Sequence, residues 1–158
     1  PLQDFTSLHE ATAATVALVQ GARRGIRLYS RDLEPVLYAQ PAVLDAFRQF
    51  AIAGTGGVVQ VILQEPATAQ GAIHPLLTLA QRLTTAFQFR TPVDPVDLQY
   101  PSAFLVNDRD GYLFRGIGSR FEGDWSPALP SRNRQLSEHF GRVWERSRPC
   151  TELRSLGI

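Results

Sequence analysis

Two polar pairs stand where short apolar runs end. Arg31-Asp32 follows residues 26–30, and Gln64-Glu65 follows residues 58–63. An arginine beside carboxylates and an amide can grip a charged ligand through its planar fork, or it can tie two loops together as an internal pair. Arg115 and Arg120 follow a further apolar run. If they reach the same place as Arg31, the three arginines form an anion-binding cleft; otherwise Arg120 has Glu122 two residues away. Trp125, between Asp124 and Ser126 in a stretch read as loop, offers a rigid aromatic surface for a partner or a cover over the cleft. All sixteen basic residues are arginine and none is lysine, which removes Schiff-base amines and lysine phosphate clamps from consideration. His9, His74, His139 and the single Cys150 are too scattered for a metal site, and no other spacing implies a cofactor. His74 before Pro75 reads as a helix cap, His139 as facing solvent or loop, and Cys150 as an unreactive buried or tail thiol.

The elements that must carry these side chains can be read from periodicity and punctuation. Ser7 and Glu10 make a capping box for a first helix, closed by Gly21 and Gly25, so that residues 1–25 form an N-terminal helical unit. Strand, helix, strand, helix, strand then follow at residues 26–30, 41–53, 58–63, 75–83 and 87–90. That alternation predicts right-handed crossovers and a mostly parallel sheet, which gathers Arg31, Asp32, Gln64 and Glu65 at its carboxyl edge. A β-hairpin over residues 102–115 turns at Asn107-Asp108-Arg109-Asp110-Gly111. Residues 116–131 read as a long loop. Ser131 is placed as the cap of a last helix with Leu136, Phe140, Val143 and Trp144 inward and Glu138, Arg142 and Arg146 outward, and residues 148–158 as a C-terminal tail.

Composition sets the outer bounds. With 158 residues, 44% hydrophobic and 20% charged, the chain has the balance of a single globular domain spanning 1–158. No apolar run approaches the roughly 20 residues that cross a bilayer, and no signal-type segment opens the sequence, so a soluble cytoplasmic protein without membrane partners is expected. A net charge of +1 gives no general indication of nucleic acid. The lack of an initiating methionine suggests a piece of a larger parent.

Three segments together resemble the phospholipase D superfamily. Val43 to Leu63 is similar to that family's helix, glycine turn and buried strand. Tyr100-Pro101-Ser102-Ala103-Phe104-Leu105-Val106-Asn107 falls in the frame of its His-x-Lys-x-x-x-x-Asp motif, and Phe140-Gly141-Arg142-Val143-Trp144-Glu145 is similar to its closing aromatic helix. The resemblance implies an α/β half-domain, a mostly parallel sheet with an added β-hairpin and flanking helices. It also implies that Tyr100, Ser102 and Asn107 stand where histidine, lysine and aspartate would act, with Asp108 one residue beyond. A phenol with a pKa of ~10 is a poor nucleophile at neutral pH, and a serine brings no charge to a phosphate. The chain also resembles the domain found carboxy-terminal to GNAT-type acetyltransferases in some gammaproteobacterial proteins, through Leu28-Tyr29-Ser30-Arg31-Asp32-Leu33, Gly111-Tyr112-Leu113-Phe114-Arg115 and Arg120-Phe121-Glu122-Gly123.

These readings together predict a non-catalytic binding or regulatory domain. It is expected to self-associate as a homodimer, with a small anionic molecule or an acyltransferase domain as its partner. A diverged phosphodiesterase using Tyr100, Ser102 or His74, and a single-stranded nucleic-acid module stacking on Trp125, are the alternatives.

Overall fold

The computed structural model describes residues 1–156. In chain order its elements are β1 (Gln3–Phe5), α1 (Leu8–Gly21), β2 (Gly25–Ser30), α2 (Pro35–Tyr38), α3 (Pro41–Ile52), β3 (Val58–Leu63), α4 (Pro66–Gly71), α5 (Pro75–Arg82), β4 (Phe87–Pro92) and α6 (Pro95–Leu98). Then come β5 (Ala103–Asn107), β6 (Tyr112–Arg115), β7 (Gly123–Ser126), α7 (Pro130–Glu145) and β8 (Ser147–Pro149), with short 3-10 turns at Thr84–Ala86 and Thr151–Leu156. The strands form one sheet in the order β1-β7-β6-β5-β2-β3-β4-β8.

The sheet is mostly antiparallel, which corrects the sequence expectation. Among the described residues only β2–β3 and β3–β4 pair in parallel, while five ladders run antiparallel. The three strands linked by helical crossovers behave as read. The chain then enters β5 against β2 and adds β6 and β7 through short connections, which only antiparallel neighbours allow. The two edge strands, β1 and β8, are three residues each. An alternation signal needs about four residues or more, so neither was legible. The N-terminal unit therefore begins with a strand, the tail with a strand and a 3-10 turn, and the supposed loop 116–131 contains β7 with Trp125 inside it.

Local chemistry explains the main boundaries. Glu10 donates its N–H to Ser7 Oγ at 3.1 Å and its Oε1 accepts the Thr6 N–H at 3.1 Å, closing the N-terminus of α1. Proline opens α3, α5 and α7 at a position where a missing N–H costs nothing; for α7 the preceding residue is Leu129 rather than Ser131. At the hairpin turn Asp110 adopts φ 68°, a left-handed conformation that aspartate tolerates. Beside it any Cβ on Gly111 would come within 2.6 Å of Leu18 Cδ2.

Strand alternation splits the core between two faces. One face carries Leu28, Val61, Leu105 and Leu113 under α1, α3 and α5, with Cys150 buried beside them. The other carries Tyr29, Ile62, Phe104, Val106 and Tyr112 under Leu136, Phe140 and Val143 of α7. A single helix covers this second face, and toward the amino ends of the parallel strands it leaves Arg27, Gln60 and Gln88 in register and open.

Candidate functional site

The carboxyl ends of β2 and β3 bring together the residues that the sequence placed there. A cleft of about 330 Å³ is lined by Arg31, Asp32, Glu34, Gln64, Ser102 and Ser119, among others. Arg31 Nη1 pairs with Glu65 Oε2 at 3.0 Å, both side chains near half exposure. Asp32 lines the cleft without an ion-pair partner among the described residues. Gln64 is buried, and its amide is already committed, donating to the main-chain oxygens of Asp97 at 3.0 Å and Tyr100 at 2.9 Å.

Arg115 does not reach this cleft as a free cation. It is fully buried, pairs with Glu34 Oε1 at 3.0 Å, and donates to the Gly118 and Arg120 carbonyls at 2.7 and 3.3 Å. Its guanidinium lies 5.4 Å from the Phe121 ring centroid, and its Nε is buried without a partner among the described residues. Burial pushes the Glu34 carboxyl above its ordinary value despite the opposing Arg115 charge and the Ser30 hydroxyl, which donates to Oε2 at 2.8 Å. Sequence reading missed Glu34, because Leu33-Glu34-Pro35 registered only as a break. Arg120 is exposed and sits 3.6 Å from Glu122, so the three arginines do not converge into an anion site. Trp125 is held in β7 opposite Gln3 and Leu113 and packs against the core, where it neither covers the cleft nor projects from a loop.

The frame from Tyr100 to Asp108 is split by the length of β5. Five strand residues, four steps of about 3.4 Å, put its two ends ~14 Å apart. Tyr100, at the cleft end, packs its ring 5.1 Å from Tyr29 and 4.7 Å from His139, and burial raises its phenol above the ordinary range. His139 thus faces aromatic rings rather than solvent, with Nε2 buried and without a partner. Ser102 donates its hydroxyl to the Gly116 carbonyl at 2.7 Å.

At the far end, Asn107 Oδ1 accepts the N–H groups of Arg109 and Gly111 at 2.9 and 2.8 Å, while Nδ2 donates to the Leu18 carbonyl at 2.9 Å. Asp108 accepts from the N–H groups of Arg23 and Arg24 at 2.8 and 3.0 Å. Burial alone would raise the Asp108 carboxyl, but these main-chain donors outweigh it and hold the group below its ordinary value. Both residues hold turns together.

His74 caps α5 as read. Nδ1 accepts the Leu76 N–H at 3.0 Å and Nε2–H donates to the Leu33 carbonyl at 2.7 Å, while burial lowers the ring's pKa and favours this neutral form. Arg146 is exposed, as read, and also makes a two-pronged contact with buried Asp97 at 2.6 and 2.7 Å. No group of three or more histidine, cysteine and acidic side chains among the described residues could hold a metal ion, and no described helix is long and apolar enough to cross a membrane.

A helix-flanked sheet with a cleft at its carboxyl ends and a hairpin crossing from that cleft to the opposite edge is the fold of the phospholipase D family. Nuc from Salmonella typhimurium, a phospholipase D family member, superposes with a TM-score of 0.67 and 15% identity, over 94% of this chain and 97% of its own. NucT from Helicobacter pylori gives 0.61 and 9%, over 94% and 98%. TrmBL2, an archaeal chromatin protein with a novel mode of DNA binding, gives 0.65 and 14%, but this chain covers only 53% of its length. At these identities the likeness establishes the fold. By sequence, residues 7–156 match the domain of unknown function DUF7931, and the chain belongs to that family. Comparison with curated proteins gives no sequence match.

Proposed function

We propose that this chain is a non-catalytic binding domain built on a phospholipase D-like fold, and that it self-associates over its cleft. The observation that carries the first part is the fate of the cleft's cations. Phosphoryl transfer needs a nucleophile and free positive charge at the phosphate oxygens. Here Tyr100 is packed among Tyr29, Phe104 and His139, the Ser102 hydroxyl is given to a carbonyl, and both nearby guanidiniums end on Glu65 and Glu34. Asp32 adds a negative charge facing the space a phosphate would occupy.

Self-association is supported by exposed apolar side chains around the same edge. Val36, Ile73, Val93, Val96 and Ile117, each 47–81% exposed, lie on segments that leave the carboxyl ends of β2, β3, β4 and β6. A second copy would remove that surface from water.

Incubation with a generic phosphodiester tests the catalytic part. The protein is expected to show no turnover above that of Tyr100→Phe, and turnover that this substitution abolishes would overturn the reading. Light scattering tests the second part: a dimer is expected, and a strict monomer at high micromolar concentration would remove it.

A further inference from the structure

The sheet edge opposite the cleft holds arginines that the protein does not pair with its own carboxylates. Arg23 and Arg24 lie between α1 and β2, Arg27 is on β2, and Arg109 is in the β5–β6 turn. None of the four takes part in an ion pair among the described residues. Their main chain is nonetheless fixed. Asp108 holds the Arg23 and Arg24 N–H groups, the Arg24 carbonyl accepts from Val58 at 3.0 Å, and the Asp108 N–H reaches the Gly25 carbonyl at 3.1 Å. From this anchored turn Arg23 lines a recess on the α1 and α3 side of the sheet, and Arg24 lines one on the α7 side.

The two recesses differ electrostatically. α1 and α3 end beside the first, so the negative ends of their dipoles offset part of the charge of Arg23 and Arg109. The second has a volume of about 420 Å³ and is lined by both Arg24 and Arg27. Sixteen-residue α7 begins near this edge, with Asn133 of its first turn at the wall, so the positive end of its dipole adds to the arginines. Asp108 is the only carboxylate in the lining, and both its oxygens already accept main-chain N–H groups. Gln60 donates to Gln88 at 3.4 Å, which leaves an amide oxygen and an amide NH2 of that pair available across the recess floor, beside the apolar side chain of Val58.

Two guanidiniums without a carboxylate among the described residues, of which Arg27 gives only Nη1 to the Ser137 carbonyl at 3.3 Å, a pair of amides and an apolar wall in a recess of small-molecule size match one ligand chemistry. We propose that this recess binds a phosphate-bearing ligand of nucleotide size, with Arg24 and Arg27 on the phosphate and the Gln60–Gln88 pair on the polar edge of the nucleoside. The ligand can come as a free nucleotide or as one residue of a nucleic-acid strand. The proposal stands apart from the reading of the cleft and survives if that reading fails.

The test is a calorimetric titration of the full chain with ATP, with adenosine and with a mixed-sequence oligonucleotide, repeated on Arg24→Gln, Arg27→Gln and Arg82→Gln. Arg82 lies exposed at the end of α5 and controls for the loss of one charge. Saturable binding of ATP, of the oligonucleotide or of both is expected, weakened about tenfold by each of Arg24→Gln and Arg27→Gln, as loss of a charged hydrogen bond implies, and unchanged in Arg82→Gln. Adenosine is expected not to compete. ATP binding identifies a free nucleotide as sufficient; binding of the oligonucleotide alone identifies a strand. Arg27 also stacks 5.7 Å from the Phe140 ring, so exposed Arg24 carries the test if Arg27→Gln melts early. Absence of saturable binding up to millimolar ATP and oligonucleotide would overturn the proposal. So would wild-type affinity in Arg24→Gln, or equal weakening in Arg82→Gln.

Discussion

At the carboxyl ends of the parallel strands Arg31, Arg115 and Arg146 each end on a carboxylate, whereas at the amino ends Arg23, Arg24 and Arg109 have none among the described residues and the local carboxylate, Asp108, is given to the main chain. For Arg115 the outcome is set by burial. A guanidinium taken out of water must find a counter-charge and hydrogen-bond acceptors, and Arg115 finds Glu34 and two carbonyls. An exposed guanidinium needs neither: Arg31 and Arg146 have a carboxylate within reach all the same, whereas Arg23, Arg24 and Arg109 have none among the described residues and are left available to a ligand. The arginines near the cleft are thus paired within the chain, while unpaired positive charge has collected about the length of β5 away.

The sharpest way to break this contrast is Arg115→Leu. It leaves the Glu34 carboxylate buried without its cation, and urea unfolding is expected to show a loss of about 3–5 kcal/mol, largely recovered when Glu34→Leu is added. A loss no larger than that of an exposed pair would mean that Arg115 is not the buried anchor described. Next in size is Asp108→Ala, expected to cost about 1.5–3 kcal/mol through the two lost charged hydrogen bonds, again by urea unfolding. Its pH dependence has a definite sign. The folded carboxyl lies below its unfolded value, so its contribution is present above the unfolded pKa of about 3.9 and is lost as pH falls through the folded value. The gap between wild type and Asp108→Ala should therefore narrow in acid and stay constant from pH ~5 upward; a gap that widens in acid would refute the assignment. Smallest is Arg31→Ala, whose half-exposed pair with Glu65 is expected to contribute about 0–1 kcal/mol, and less as salt is added. A salt-independent loss of several kcal/mol would put Arg31 in the same class as Arg115.

Much of this was legible in the sequence where a local signal existed. The Ser7–Glu10 box, the glycine-bounded runs, the hairpin turn at 107–111 and the His74 cap all follow from neighbours within a few residues. So does the meeting of Arg31, Asp32, Gln64 and Glu65, since consecutive parallel strands put their ends side by side. What was missed depends on distant partners. Arg115 read as a cation of the cleft and Arg146 as turned to solvent, and nothing local showed a partner for either; their carboxylates, Glu34 and Asp97, lie 81 and 49 residues away and come near only when the sheet assembles. Trp125 carried no strand signal because its four-residue strand exists only by pairing with β6 and β1. The antiparallel majority was hidden for the same reason: strand direction depends on which neighbour a strand meets.

Cys150, between β8 and the turn at Thr151–Leu156, turns that strap into a clock. The thiol is buried against the core, burial pushes its pKa up to about 12, and its N–H holds the Phe89 carbonyl at 3.3 Å. An alkylating reagent therefore finds neither access nor thiolate until β8 lifts away from β4 and the turn at Thr151–Leu156 from α4 and α5. The labelling rate of one native atom reports how often that happens. Arg90, which holds Ser147 through its Oγ at 2.7 Å, is the latch whose removal should make the clock run faster.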